Sequence, residues 1–286
     1  MIAPETLAVG LGLFSAITVA LANYGTKRGG DVLTARMVLS VSAALILVPF
    51  IPFVEPPPRA LWPHMCLAIL MHWFYQFALV RALHRGDLSL VFPVMRGSSP
   101  LFVAIGATFF LQEQLSPLAW LGLIIATLAV ISFGPPERGK SAQTVSNRSA
   151  LFWAGMTALG IAAYSLVDAA AIRKMPSPFT FILYLFLLDW IGITLITLIL
   201  RRGEVWQHVR PQLTGGIMGG AASVLSFGAA LYAFTLTDTA IVAALRETSV
   251  VWAALMGAFW LHEGFGKKRV LAAAFLALGL VLLQVP

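Results

Sequence analysis

Ten stretches of this chain stay apolar for about 17 to 23 residues, long enough for a helix to cross roughly 30 Å of hydrocarbon. They fall near 4–23, 33–53, 64–83, 88–111, 117–134, 150–171, 179–200, 213–234, 240–261 and 269–285. The joints between them are short and carry helix breakers: Gly29-Gly30, Pro56-Pro57-Pro58, Arg85-Gly86-Asp87, Ser116-Pro117, Pro176-Ser177-Pro178 and Gly264-Phe265-Gly266. Only 11% of the residues are charged and 59% are hydrophobic, whereas a soluble domain is roughly a quarter charged. A water-facing surface cannot be covered from so few charges. Lipid leaves backbone amides and carbonyls no solvent partner, so the stretches must be helices. The sequence predicts an all-α integral membrane protein with ten transmembrane helices.

A net charge of +7 in a soluble protein would point to nucleic acid. Here the cations lie between apolar runs, and an anionic membrane surface explains them without nucleic acid. Joints after odd-numbered segments, with the adjoining helix ends, hold Lys27, Arg28, Arg36, Arg81, Arg85, Arg138, Lys140, Arg148, Arg201, Arg202, Arg210, Lys267, Lys268 and Arg269. The opposite joints hold only Arg59, Arg173 and Lys174. By the positive-inside rule this bias puts both termini outside the cytoplasm. Glu5 precedes the first apolar run and Lys27-Arg28 follow it, which reads as a retained first helix and not a cleaved signal. The single cysteine, Cys66, excludes an internal disulfide and a thiolate metal cluster, and its apolar neighbours predict a small packed side chain.

The chain also repeats itself. A shift of 150 positions carries Arg96 onto Arg246, Ser98 onto Thr248, Ser99 onto Ser249, Ala104 onto Ala254, Phe109 onto Phe259, Leu111 onto Leu261 and Glu113 onto Glu263. Shared leucines and alanines between membrane helices are cheap, but an arginine, a hydroxyl pair and a terminal glutamate are not. The polar stretch from Pro135 to Arg148 divides the apolar segments into five and five. Residues 1–134 therefore read as one five-helix repeat, 135–148 as a linker and 149–286 as a second repeat. Five is odd, so the repeats are expected to cross the membrane with inverted topology, as in transporters whose solute site lies between two repeats.

The polar residues inside the apolar runs are the candidate site. Arg96 lies about 12 Å into its helix, where an unpaired guanidinium costs at least about 2.5 kcal/mol. It is expected to face a polar interior or to pair with a carboxylate that holds the bundle. Pro93, Gly97 and Pro100 weaken the helical ladder around it, which frees carbonyls beside the hydroxyls of Ser98 and Ser99. Arg246, Glu247, Thr248 and Ser249 form the matching group. Two guanidiniums at related depths suit a solute with a carboxylate or phosphate, which the planar fork grips bidentately. His72 and Gln76, four apart in the third segment, share a face and are candidates to line the cavity, with Trp73 and Tyr75 beside them. Tyr164, Trp190, Tyr232 and Trp252 lie midway along their runs, away from the usual interfacial belt, and either stack on a solute or simply pack. Asp189, near the middle of its run, is the candidate proton carrier for coupled transport; Asp168, about one turn from a helix end, is expected near the interface. Glu113 and Glu263 are expected to cap the helices that follow them. The pairs Gly215-Gly216 and Gly219-Gly220 read as sites of close helix packing.

No phosphate-binding glycine loop, HExxH helix, paired aspartate cluster or nucleophile elbow occurs. Neither a metal nor another cofactor is expected. The two helix-Glu-turn-helix segments, FFLQEQLSPLAWLGLIIATLAVI and AFWLHEGFGKKRVLAAAFLALGLVL, resemble those of EamA-type members of the drug/metabolite transporter superfamily. The pair SLVFPVMRGSSPLFVA and IVAALRETSVVWAA is similar to the fourth and ninth helices of that family. The resemblance covers nearly the whole chain. It implies a multi-pass secondary carrier of a bacterial inner membrane, a monomer or homodimer, exporting small metabolites, amino acids or drugs by alternating access. Similar proteins commonly carry glycine before the glutamate and arginine after it, where this chain has Gln112-Glu113-Gln114 and His262-Glu263-Gly264. They are also often described with cytoplasmic termini, opposite to the charge bias. Two other classes stand beside the carrier: a membrane-embedded enzyme acting on lipid, which would need clustered carboxylates or histidines at one interface, and a non-transporting subunit or lipid flippase component.

Overall fold

The structure, a computed structural model, describes residues 3–27, 31–85, 88–132, 144–252 and 267–283. Its main helices are α1 (Pro4–Lys27), α2 (Val32–Leu47), α3 (Trp62–Leu83), α4 (Leu88–Gly106), α5 (Pro117–Ser132), α6 (Thr144–Ile172), α7 (Pro178–Arg201), α8 (Leu213–Ala233), α9 (Thr239–Arg246) and α10 (Lys267–Leu283). No strand occurs among the described residues. Among the described residues, five helical stretches are long and apolar enough to cross a membrane: Val32–Phe53, Arg59–Leu83, Val94–Leu111, Arg148–Ile172 and Pro178–Ala233. The last is 56 residues long and contains both α7 and α8. Pro4–Ala20, Pro117–Ser132 and Val270–Leu283 are apolar but shorter. The α6 helix begins at Thr144, inside the stretch expected to be linker. The turn at Glu263, the residues Ala254, Phe259 and Leu261, and most of the linker lie outside the described residues.

The chain forms two compact units, Met1–Trp73 with Val167–Leu236 and Phe74–Leu166 with Thr237–Pro286. Each draws on both halves of the sequence. In the first, α8 packs on α1 and α2, and α2 packs on α7. The glycines of α8 explain how closely α2 approaches: a Cβ on Gly220 would stand 2.8 Å from the Ser42 Cβ and 2.9 Å from the Ala43 nitrogen and the Leu39 oxygen. Small residues let backbones meet in this way where lipid provides no hydrophobic drive for association. Buried Ser226 donates to the Ser15 carbonyl at 2.7 Å, tying α8 to α1. The Trp73 indole lies over Gly192 and donates to the Asp189 carbonyl at 3.0 Å, so α7 holds α3 through residues three apart on one face.

At the start of α2, Asp31 caps the helix: its carboxylate accepts from the Thr34 amide at 3.4 Å and the Thr34 hydroxyl at 2.6 Å, and it pairs with Arg201 at 2.7 Å. Burial pushes this carboxyl up, but the bonds from Thr34 and Arg201 outweigh it and hold the group below its ordinary value. A carboxyl depressed by folding stabilises above its unfolded value, near 3.8, and loses that contribution as pH falls through the folded value. Asp31→Asn keeps a capping side chain but removes the charge that meets Arg201, and is therefore expected to lower stability by up to about 1 kcal/mol at neutral pH. The gap between the variant and the parent should narrow in thermal melts as pH falls below 3.8.

In the second unit, α4 packs on α5 and α9, and α10 packs on α5. Gly279 of α10 meets α5 directly, since a Cβ there would stand 2.7 Å from the Ala126 nitrogen. Leu79, Ala82, Val91, Met95, Ala150 and Ala154 join α3, α4 and α6 in one apolar cluster, and Val103, Ala162 and Ala243 join α4, α6 and α9 in another. Large apolar side chains cover the outer surface in both units, among them Phe53, Ile199, Phe110 and Val281, as a lipid-facing surface requires. Cys66 belongs to that surface. It is exposed beside Leu67 and Leu70, and not packed as expected from its apolar neighbours.

Candidate solute site

The second unit brings the two arginine motifs together. In α4, Pro100 has no amide hydrogen to give the Arg96 carbonyl, and the Ser99 hydroxyl donates to that carbonyl instead, at 3.0 Å. In α9 the ladder tightens at the matching place. The Glu247 amide donates to Ala244 at 3.0 Å, Thr248 to Leu245 at 3.2 Å and Val250 to Glu247 at 3.1 Å, each three residues back. The regular helix stops at Arg246, and the Thr248 hydroxyl donates to the Leu245 carbonyl at 2.8 Å. The α9 helix thus loses its regular ladder where its polar residues cluster, whereas α4 runs on from Leu88 to Gly106 and lacks only the bond that the Pro100 amide cannot make.

Across this gap the Arg96 Nη2 donates to the Ser249 hydroxyl at 3.2 Å, and its Nε lies 3.5 Å from the Glu247 Oε2. Arg96, Ser99, Arg246, Glu247 and Ser249 are all less than a tenth exposed, while Ser98 and Thr248 are half-buried. The rings of Tyr75 and Tyr164 meet edge to face at 5.2 Å and interact electrostatically with the Arg96 guanidinium. Gln76, also of this unit, is buried. A narrow crevice lined by Gly97, Pro100, Ala126, Thr127, Val130, Ala244 and Glu247 runs beside the group, with the buried Thr127 hydroxyl on its wall. At 3.5 Å the guanidinium and carboxylate are farther apart than a close charge-assisted hydrogen bond of about 2.8 Å. Arg96 is the kind of group that grips an incoming anion, and Glu247 already stands where one would compete for it.

Of the other expected site residues, His72, Asp189, Trp190 and Tyr232 belong to the first unit. His72 is buried, and its Nε2 lies 2.8 Å from the Oδ2 of Asp168, which is fully buried. Asp168 thus lies inside the protein, paired with a residue midway along α3. Asp189 and Trp190 are half-buried, and the Trp190 indole donates to the Leu187 carbonyl at 2.9 Å. Tyr232, half-buried, stacks on Phe179 at 5.9 Å. Trp252, in the second unit, is exposed. Sequence reasoning passed over Tyr75 as a member of the arginine group. It also missed the His72–Asp168 pair, whose members are 96 positions apart and share no motif.

Glu113 caps a helix, but a distant one. After α4 the chain makes a π-helical turn over Ala107–Leu111 and then Gln112 adopts the left-handed conformation, with φ 58°. Glycine adopts that conformation without strain, whereas a glutamine does so at a cost. The Gln112 side chain returns a hydrogen bond to the Phe109 carbonyl at 3.0 Å. The turn delivers Glu113 to the start of α9, where its carboxylate accepts from the Thr239 amide at 2.8 Å and the Thr239 hydroxyl at 2.7 Å. Ser116 serves α5 instead, accepting from the Ala119 amide at 3.2 Å. Glu113→Ala is expected to cost about 1–3 kcal/mol, since it strands a buried donor at the head of α9. Thermal unfolding in detergent measures it, and Glu113→Gln should recover part of the loss.

A protein-family model described as the EamA-like transporter family matches residues 3–133 and, a second time, residues 148–285. The chain belongs to the EamA-like transporter family. Membership makes it a multi-pass membrane transporter of the drug/metabolite transporter type. The two matches fall on the halves that carry the Arg96 and Arg246 motifs, so in this EamA-like chain one constellation is assembled from both copies of the family unit. A crystal structure of a protein 15% identical in sequence shares its fold, with a TM-score of 0.74 over 97% of this chain and 96% of that one. No curated protein matches the chain.

Proposed function

We propose that this EamA-like chain is a secondary carrier that moves a small metabolite bearing a carboxylate or other anionic group across a bacterial inner membrane by alternating access. The observation that carries the reading is the buried Arg96, held loosely by Glu247 and Ser249 where α9 loses its regular helix. A guanidinium so placed offers a planar fork to an anion, and interrupted helices are how transporters present polar groups at mid-depth. In this reading the solute anion displaces Glu247 from Arg96, Ser98, Ser99, Thr248 and Ser249 supply hydroxyls, and Arg246, Tyr164 and Gln76 complete the polar surround. His72, Trp190 and Tyr232 of the first unit line the path, and export is its direction. The two repeats are taken as inverted in the membrane. Contacts between equivalent helices, α2 with α7, α4 with α9 and α5 with α10, support that topology.

The test is net flux into proteoliposomes containing this chain alone, with a panel of radiolabelled amino acids and mono- and dicarboxylic acids. The reading expects saturable flux of at least one anionic member, inhibited by others of its class. Proteoliposomes indistinguishable from empty vesicles across the panel would contradict it.

A further inference from the structure

We infer that His72 and Asp168 form a proton-binding site through which transport is coupled to the pH gradient, an inference that rests on the carrier reading above. His72 is midway along α3, about 15 Å from either end. Its ring is nine-tenths buried, and Nε2 lies 2.8 Å from the Asp168 Oδ2 on α6, with no solvent exposure at the acid. Phe227 of α8 closes the imidazole edge to face at 5.3 Å, and Phe186 of α7 packs on Phe227 at 6.2 Å. Of the elements around the pair, α6 supplies Asp168, Arg148 near its start and, on the turn after its end, Arg173 and Lys174. The α8 helix carries no charged residue, and α7 carries Asp189 and, at its end, Arg201. Asp168 meets the imidazole directly, at 2.8 Å.

An ionisable residue inside a membrane segment is costly and marks function by default. Histidine is the side chain whose ordinary titration spans about pH 5 to 8. With a neutral imidazole and a carboxylate the pair carries one negative charge, and one added proton brings it to zero. That proton is taken from the water on one side and returned to the water on the other, so the step balances without a further reactant.

The test needs no knowledge of the solute. Proteoliposomes adsorbed on a solid-supported membrane are given a pH jump with no solute present, and the transient charge displacement is recorded. The wild-type chain is expected to give a transient. Asp168→Asn, which keeps a hydrogen-bonding partner for the imidazole, and His72→Gln are each expected to reduce it at least tenfold. A transient unchanged in both variants, or none in the wild type, overturns the proton site. Labelled-solute exchange at equal pH on the two sides separates this from the carrier reading. Exchange present with an unaltered transient in the variants overturns the proton site alone. A transient present with no exchange of any panel solute overturns the carrier reading and leaves the proton site standing. Should either variant fail to fold, the imidazole nitrogen signal of His72 in the isotope-labelled wild-type chain decides. A protonation change between about pH 5 and 8 supports the site, and none in that range overturns it.

Discussion

Arg96→Met is expected to destabilise the chain by up to about 3–5 kcal/mol, because it takes from the buried Glu247 carboxylate the guanidinium it is paired with and leaves it to the charge of Arg246. Adding Glu247→Gln should recover most of that loss. A buried ion pair replaced as a whole by neutral groups of similar volume is often close to neutral, whereas breaking it from one side is not. Chemical unfolding in detergent micelles measures both. The same pair of variants separates structure from function: the double variant should fold as the parent does and still show no flux of any solute that the parent carries. Were Arg96 only a brace, flux would return along with stability. Arg96→Lys is expected to fail as well, since an ammonium offers no planar fork that could reach both Ser249 and an incoming anion.

Gly220→Val is expected to be among the most damaging single changes in the first unit. An added Cβ meets the Ala43 nitrogen and the Leu39 oxygen at 2.9 Å, and main-chain atoms inside a helix cannot swing aside. Forcing α8 from α2 should cost about 1–3 kcal/mol at the least, and it also threatens the Ser226 bond to Ser15 two turns on. The contrast lies on the same helix. At Gly228 the nearest neighbour of an added Cβ is the Ile182 Cγ2 at 3.8 Å, an ordinary contact. Gly228→Ala should therefore be neutral or stabilise by up to about 1 kcal/mol through helix propensity. Melting curves of the two variants should move apart, and a matching loss in both would show that close approach of α2 and α8 is not the cause.

Much of the helical plan was legible because lipid enforces it: an apolar run bounded by Pro, Gly and charge has few alternatives to a helix. The arginine motif was legible for a second reason. Two copies of the same costly residue, each beside hydroxyls and helix breakers, are hard to explain by packing, and the structure puts Arg96 against Ser249 and Glu247 of the other copy. Orientation of each helix about its own axis was not legible. In water an apolar stripe marks the inside, but in a membrane both faces are apolar, so Cys66 was expected to pack and instead faces outward. Pairings distant in sequence were hidden too. Nothing near Asp168 signals His72, and nothing in the turn after Glu113 says that its carboxylate belongs to α9 and not to α5. Of the ten spans read from apolar runs, the described residues show five helical stretches of spanning length and three shorter apolar helices.

The most direct test of the central claim is access to Ser249 from the two sides of the membrane. A Ser249→Cys chain carrying Cys66→Ser presents one thiol at the Arg96 group, and membrane-impermeant thiol reagents can be applied to sealed vesicles from outside or trapped within. The account predicts labelling from each side in turn, slowed from both by a transported anion. A thiol that reacts from neither side, or from one side alone under every condition, would contradict it.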